Sequence, residues 1–215
     1  MSAAPEKLAQ LRHLLAARFP TTPRAPGRTL HTGIPALDES TGGGLPLGAI
    51  TEIVCAAPSC GSRLFLHQLL ARTRDQRQRV ALIDSTDSFD PDSTPPDLLV
   101  HLLWVRCTGT TPALQAADLL ARDANFGLVI LDLRGASESD LRRIPGPQWY
   151  RFQRAVEPTD LALVVQTPRP SVPSAQLRLA FAQSHTPTAF EIERAILANR
   201  LAPILQRQRL QIATG

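Results

Sequence analysis

Short, almost uninterrupted apolar runs recur along this chain, and they limit its fold more than any other feature. GLVILDL at Gly127–Leu133 is the clearest of them. Such a run suits a strand covered on both faces, because a side chain pointing either way then meets protein. RVALID at Arg79–Asp84, LLWVR at Leu102–Arg106, LALVVQ at Leu161–Gln166 and AITEIVC at Ala49–Cys55 read in the same way. Helical spacing fills the intervals: Ser62–Arg74 through Leu66, Leu69 and Leu70, Thr111–Asn125 through Leu114, Ala117, Leu119 and Leu120, and Pro147–Val156. Strands alternating with helices predict an α/β fold whose central, mostly parallel β-sheet is flanked by helices. In such a sheet the ligand crevice lies beyond the carboxyl ends of the strands.

The ends of the chain differ from this middle. Leu8, Leu11, Leu15 and Phe19 fall on one helical face over residues 5–19, and Pro20 ends that helix. A helix this short is marginal alone, so the stripe must dock, either on its own domain or on another chain. Residues 1–29 therefore read as an amphipathic helix and linker, 30–194 as the α/β core, and 195–215 as a basic C-terminal segment. Within the core, Ser174–Ser184 is expected to be helical. Thr188–Arg194 offers both a capping box, Thr188 with Glu191, and a strand alternation, so helix and strand both stay open there.

Composition narrows the function. The 215 residues include 23 Lys+Arg, yet Lys7 is the only lysine, so no lysine beyond it can serve as a nucleophile or bind a phosphate. The net charge of +4 is concentrated at the two ends. Solvated tails and a nucleic-acid or acidic partner are both compatible with that distribution. Aromatic residues make up only 5%, too few for a base-stacking platform. Cys55, Cys60 and Cys107 are odd in number and lack metal-ligand or CxxC spacing, which implies reduced thiols and a cytoplasmic protein. No apolar leader and no membrane-length apolar run is present in the sequence.

The segment between the AITEIVC strand and the helix at Ser62 stands where a phosphate-binding loop of the form G-x-x-x-x-G-K-[ST] would lie. Anchored on Gly61, that pattern puts Ala56 at the first glycine, Ser62 at the lysine and Arg63 at the hydroxyl. Arg63 is a poor substitute for the lysine, being one residue late and rotated about 100° around the helix. Asp132 ends its strand where a magnesium-orienting carboxylate belongs, and a strand-end residue accepting hydrogen bonds from the next turn would look the same. The five histidines show no metal or triad spacing, and His67 and His101 sit in apolar contexts that suit structural roles. No G-x-S-x-G or HExxH motif occurs. No catalytic residue, metal ligand or cofactor is expected.

Taken together these residues resemble a family. Thr32-Gly33-Ile34-Pro35-Ala36-Leu37-Asp38, followed by Gly42-Gly43-Gly44-Leu45-Pro46-Leu47-Gly48-Ala49-Ile50-Thr51-Glu52-Ile53, is similar to the entry to the RecA-type recombinase core. RVALID with Ser85-Thr86, GLVILDL, and LVVQ ending in Gln166 continue the resemblance in order over about residues 30–183. Three departures accompany it. The water-activating glutamate falls on Thr86, the loop lysine falls on Ser62, and Thr167–Pro173 (TPRPSVP) is a short stretch where recombinases carry a longer DNA-binding loop.

With those departures the chain resembles the ImuA family, RecA-like proteins related to the SulA inhibitors. That resemblance implies a non-catalytic adaptor in damage-induced translesion synthesis. Its implied partners are an ImuB-like, inactive Y-family polymerase homologue and an error-prone replicative-type polymerase, with non-specific DNA and self-association left open. Gly61, Ser62, Arg63, Thr86, Asp132 and Gln166 would be a degenerate nucleotide site. Leu8, Leu11, Leu15 and Phe19, with Arg200, Leu201, Leu205, Arg207 and Arg209, are the candidate partner-binding residues. The alternatives are a SulA-like inhibitor of the tubulin-like division protein and a recombinase paralogue that keeps ATP binding.

Overall fold

The structure, a computed structural model, describes residues 28–209. The chain enters through a two-residue strand, β1 (Thr29–Leu30), a short helix, α1 (Pro35–Thr41), and β2 (Leu45–Pro46), which pairs antiparallel with β1. The Asp38 carboxylate accepts the backbone N–H groups of Thr32 and Gly33 and the Thr32 hydroxyl, so the TG-x-x-x-LD spacing closes this turn. Gly44 has φ 120°, and a Cβ there would overlap the Leu30 carbonyl, so only glycine lets β2 return beside β1.

The core then alternates. It runs β3 (Ala49–Cys55), α2 (Ser62–Asp75), β4 (Arg79–Asp84), a 3₁₀ turn at Pro91–Ser93, α3 (Pro96–Leu99), β5 (Leu102–Arg106) and α4 (Thr110–Leu120). It continues with β6 (Phe126–Asp132), α5 (Glu138–Arg143), α6 (Gly146–Val156), β7 (Ala162–Thr167) and β8 (Leu177–Phe181). A 3₁₀ turn at Pro187–Glu191, α7 (Arg194–Asn199) and β9 (Ile204–Gln208) end it. The seven-stranded sheet has the order β5-β4-β6-β7-β3-β8-β9, parallel except for β9. Its two faces carry separate apolar cores. Phe65, Leu66, Leu69 and Leu70 of α2 cover one face, and Ala113, Ala117, Trp149 and Phe152 of α4 and α6 cover the other.

Strands β3, β4 and β5 match their expected bounds, and β6 and β7 are shifted by one residue. Other expectations need correction. Ser174–Ser184 is not helical: Leu177, Leu179 and Phe181 alternate into the α2 core with Arg178 on the opposite face, so the segment is β8. The expected helix Thr111–Asn125 ends at Leu120, because Arg122 and Asp123 donate to the carbonyls of Leu119 and Leu120 in tight turns. Residues 187–191 are a 3₁₀ turn, and helix resumes at Arg194. Inside 195–215, Ile204–Gln208 is the seventh strand, so the described core runs past Arg194. The helix expected at 5–19 lies outside the described residues.

One charged group organises the α6 face. Glu52 of β3 is fully buried. It accepts the Thr167 hydroxyl at 3.0 Å, the amides of Ser171 and Val172, and Nε of Arg178, its cross-strand neighbour on β8. Arg178 also donates to the Val172 carbonyl. A carboxylate with this many donors can be buried, whereas removing it strands every donor at once. Glu52→Ala is therefore expected to cost about 3–5 kcal/mol in urea denaturation, and more than Arg178→Ala, which leaves three donors on the carboxylate. Equal, small losses would show that these groups are solvated.

Candidate functional site

In register, Asp84, Asp132, Gln166 and Ile53 stand side by side across β4, β6, β7 and β3. The side chains of the three polar members fall on the α2 face, the parity of Leu82, Ile130 and Val164. All three are buried. The row lies where the sequence placed a ligand site, beneath the loop between β3 and α2.

Each member meets a different fate. Asp84 accepts the amides of Thr86 and Phe89 and so shapes the turn after β4. Gln166 is 1% exposed and its amide nitrogen has no partner. Asp132 accepts the backbone N–H of Arg134, which is the strand-end role open to it from sequence. It also accepts Nε of the Arg134 guanidinium at 2.9 Å, while Nη1 of the same group donates to the Ser62 hydroxyl at 2.7 Å. Burial works against the Arg134 charge, but the hydrogen bond and charge of Asp132 and the nearby thiols Cys55 and Cys60 more than offset it, so its pKa lies above the ordinary guanidinium value. Arg134 therefore bridges the strand-end carboxylate to the first residue of α2.

Gly61 caps α2 with φ 88°. A Cβ there would overlap Leu201 and press on the His185 ring. The loop is thus roofed by the C-terminal part of the chain: the His185 amide donates to the Ser59 carbonyl and the Ser184 hydroxyl to that of Pro58. Arg63 turns away from the loop centre. Its Nη2 donates to the Ser88 carbonyl and its guanidinium lies over the Phe89 ring, while Nη1 is buried without a partner. Burial, then the Arg134 charge, lowers its pKa. Thr86 is exposed and packs against Gly135.

Between the loop and α7 lies a cavity of about 620 Å³ lined by Cys60, Arg63, His67, Arg134, His185 and Arg194, with no acid in its wall among the described residues. A larger groove of about 940 Å³ runs between α4 and residues 140–151, away from this site, and its Asp118 is already paired with Arg151. Among the described residues no cluster of three or more His, Cys, Asp or Glu is placed to hold a metal, and no helix is long and apolar enough to cross a membrane.

The structure thus brings Gly61, Ser62, Asp132 and Gln166 together, with Arg63 and Thr86 at the edge. The residue that sequence reading missed is Arg134, whose only signal was its place two residues after Asp132. Of the C-terminal residues, Leu201 is buried against the loop. Arg207 and Arg209 both donate to the Pro173 carbonyl, and Leu205 and Arg200 are exposed. Leu8, Leu11, Leu15 and Phe19 lie outside the described residues.

The mostly parallel seven-stranded sheet, with its loop and polar row at the strand ends, agrees with the RecA-like α/β core that the sequence resemblance implies. The comparisons agree. The chain is 34% identical over 119 residues to Protein RecA of Leifsonia xyli subsp. xyli, covering 54% of this chain and 33% of that protein. It is 34% identical over 107 residues to Protein RecA of Synechococcus elongatus, covering 48% and 30%. The chain spans about a third of the length of these curated relatives. The RadB recombinase crystal structure superposes with a TM-score of 0.57 at 16% identity, covering 71% of this chain and 82% of that one. No protein-family model matches the chain. The chain is RecA-like in fold and in sequence.

A magnesium-bound nucleoside triphosphate, which this class implies, does not fit the side chains present. The position for a phosphate-binding lysine holds Ser62, and the carboxylate that would orient the metal is tied to an internal guanidinium. Removing that guanidinium strands a buried carboxylate, so Arg134→Met is expected to cost about 3 kcal/mol. In a double-mutant cycle with Asp132→Asn the two losses should fall short of additivity by more than about 1 kcal/mol. Additive losses in urea titrations would mean the pair is not formed.

His67, which meets Thr94 Oγ1 at 3.1 Å, has its pKa lowered from 6.5 to about 4 by burial and then by the charges of Arg194 and Arg63. The unfolded chain binds this proton at a higher pH than the folded one. Stability should therefore fall as pH drops from about 6.5 to 4, by on the order of 1 kcal/mol after allowing for solvent screening. His67→Gln should flatten that slope in denaturation midpoints measured across the window.

Proposed function

We propose that this chain is a non-catalytic RecA-like adaptor of DNA-damage-induced translesion synthesis, working with an ImuB-like polymerase homologue and an error-prone replicative-type polymerase. The observation that carries the reading is Arg134, seated between Asp132 and Ser62. It supplies an internal cation beside the position from which a bound phosphate would be held, and it occupies the carboxylate a magnesium ion would use. With Thr86 in place of a water-activating glutamate, none of the described residues at the site is placed to activate a water for phosphoryl transfer. An adaptor then depends on contacts made by its surface. The stripe Leu8, Leu11, Leu15 and Phe19 is the first candidate for the partner-binding face, with Arg200 and Leu205 at the C-terminal end as the second.

Two measurements test this. Calorimetry with Mg-ATP is expected to give no sub-millimolar binding, and binding that is lost in Asp132→Ala would overturn the non-catalytic reading. Co-expression with the ImuB-like protein and the polymerase should give a stable complex by size exclusion. Leu11→Asp with Leu15→Asp should abolish it while leaving circular dichroism intact. Capture of the tubulin-like division protein in place of the ImuB-like protein would favour the SulA-like alternative.

A further inference from the structure

The cavity between the loop and α7 is walled by cations from three separate elements. Arg63 comes from α2, Arg134 from the turn after β6, and Arg194 from the start of α7. No acid among the described residues shares that wall. Arg134 is balanced, because it is paired with Asp132, which does not line the cavity. The other two are not. Arg63 Nη2 donates to the Ser88 carbonyl at 3.0 Å and Arg194 Nη1 to the Ser93 carbonyl at 2.8 Å, and neither has a carboxylate partner among the described residues. A backbone carbonyl orients a guanidinium without cancelling its charge. The turn after β4 thus anchors two uncompensated cations at one cavity.

We propose that this cavity is a binding site for a small organic phosphate monoester, taken without a metal ion. Charge sets the class of anion. A phosphate monoester carries about −1.5 to −2 at pH 7, which matches the two unpaired guanidiniums. A single carboxylate would leave one of them unmatched. The planar donors of arginine also suit phosphate oxygens. Nη1 of Arg63 is a donor for which the protein supplies no acceptor.

The same wall excludes a metal. Three guanidiniums repel a divalent cation, and no free carboxylate of the wall could hold one. The site therefore differs from a magnesium–triphosphate site in what it uses: cations from α7 and from the turn after β6, in place of a loop lysine and a metal-binding acid. The rest of the lining sets the body of the ligand. Leu64, Ile192 and Leu197 make part of the wall apolar, and about 620 Å³ is the size of a small-ligand site. A bare inorganic ion would leave that apolar part facing water. His67 agrees with this electrostatic picture, since burial and then the charges of Arg194 and Arg63 lower its pKa.

The test is calorimetry on the full chain in EDTA and low salt, with phenyl phosphate, adenosine 5′-monophosphate and inorganic phosphate as probes. Both monoesters are expected to bind with Kd below about 1 mM. Inorganic phosphate, with no apolar body, should bind at least about tenfold more weakly. Excess magnesium chloride in place of EDTA should strengthen neither monoester. Arg194→Ala changes an exposed residue and removes one charge-assisted contact, so it should weaken both by about tenfold or more. Preference for adenosine 5′-monophosphate over phenyl phosphate would make the ligand a nucleotide, and equal affinity another monoester; both outcomes support the site. Inorganic phosphate binding as tightly as the monoesters would mean an adventitious ion only and would overturn the proposal. Monoester binding that needs magnesium, affinity unchanged in Arg194→Ala, or no binding by either monoester would overturn it too. The magnesium and inorganic-phosphate comparisons use the unmodified protein, so they hold whether or not a variant folds. Complex formation tests the adaptor reading separately, and neither result decides the other.

Discussion

A single buried carboxylate, Glu52, ties β3 to β7, to β8 and to the loop between them, and much of this side of the sheet depends on it. It sits on the interior strand β3, and its donors come from β7, from β8 and from the loop that joins them. An ionised group in such a place persists only when its lone pairs are filled. Filling them fixes the path of residues 168–173, which the proline-rich sequence then keeps short. Where the sequence suggested a missing DNA-binding loop, the structure shows a segment held down by backbone hydrogen bonds to one acid. Arg207 of β9 and Arg209 just beyond it reinforce it by donating to the Pro173 carbonyl.

The opposite face works by a related rule with a different outcome. There one of two buried acids is Asp132, and the group that satisfies it lies only two residues along the chain. A turn that short lets Arg134 fold back on its own strand end and still reach Ser62, 72 residues away in sequence. Loss of a lysine in a loop would leave a buried carboxylate without a counter-charge. The arginine supplies that charge from a separate element, and the balance it restores is internal to the protein. This explains how a RecA-like core can keep its strand-end acid while changing the loop opposite.

Much of this was legible in the chain, and the failures have identifiable causes. β3, β4, β6 and β7 announce themselves because strands covered on both faces need apolar residues at nearly every position, and β5 carries a similar apolar run although it is an edge strand and only partly covered. β8 was hidden because only Leu177, Leu179 and Phe181 alternate, and Arg178 between them belongs to a buried ion pair that no local pattern reveals. β9 was hidden for the opposite reason. It is an edge strand, mostly exposed, and its arginine and glutamines read as a tail. At the site, residue types matched to a motif located Ser62, Asp132 and Gln166. Arg134 has no motif of its own and emerges only when the fold brings the end of β6 beside the start of α2.

That difference also changes how the basic ends should be read. Counting charge treats Arg194, Arg207 and Arg209 as free cations available to any polyanion. In the fold Arg194 donates to the Ser93 carbonyl, and the other two donate to Pro173. Their guanidinium groups hold segments of the core, and one of them, Arg194, also lines the cavity over the loop. Of the C-terminal charges, Arg194 thus joins a wall that already holds Arg63 and Arg134, while Arg207 and Arg209 are held at Pro173. The electrostatic feature that results is a cavity beside the strand ends, in a chain whose composition had suggested a charged tail.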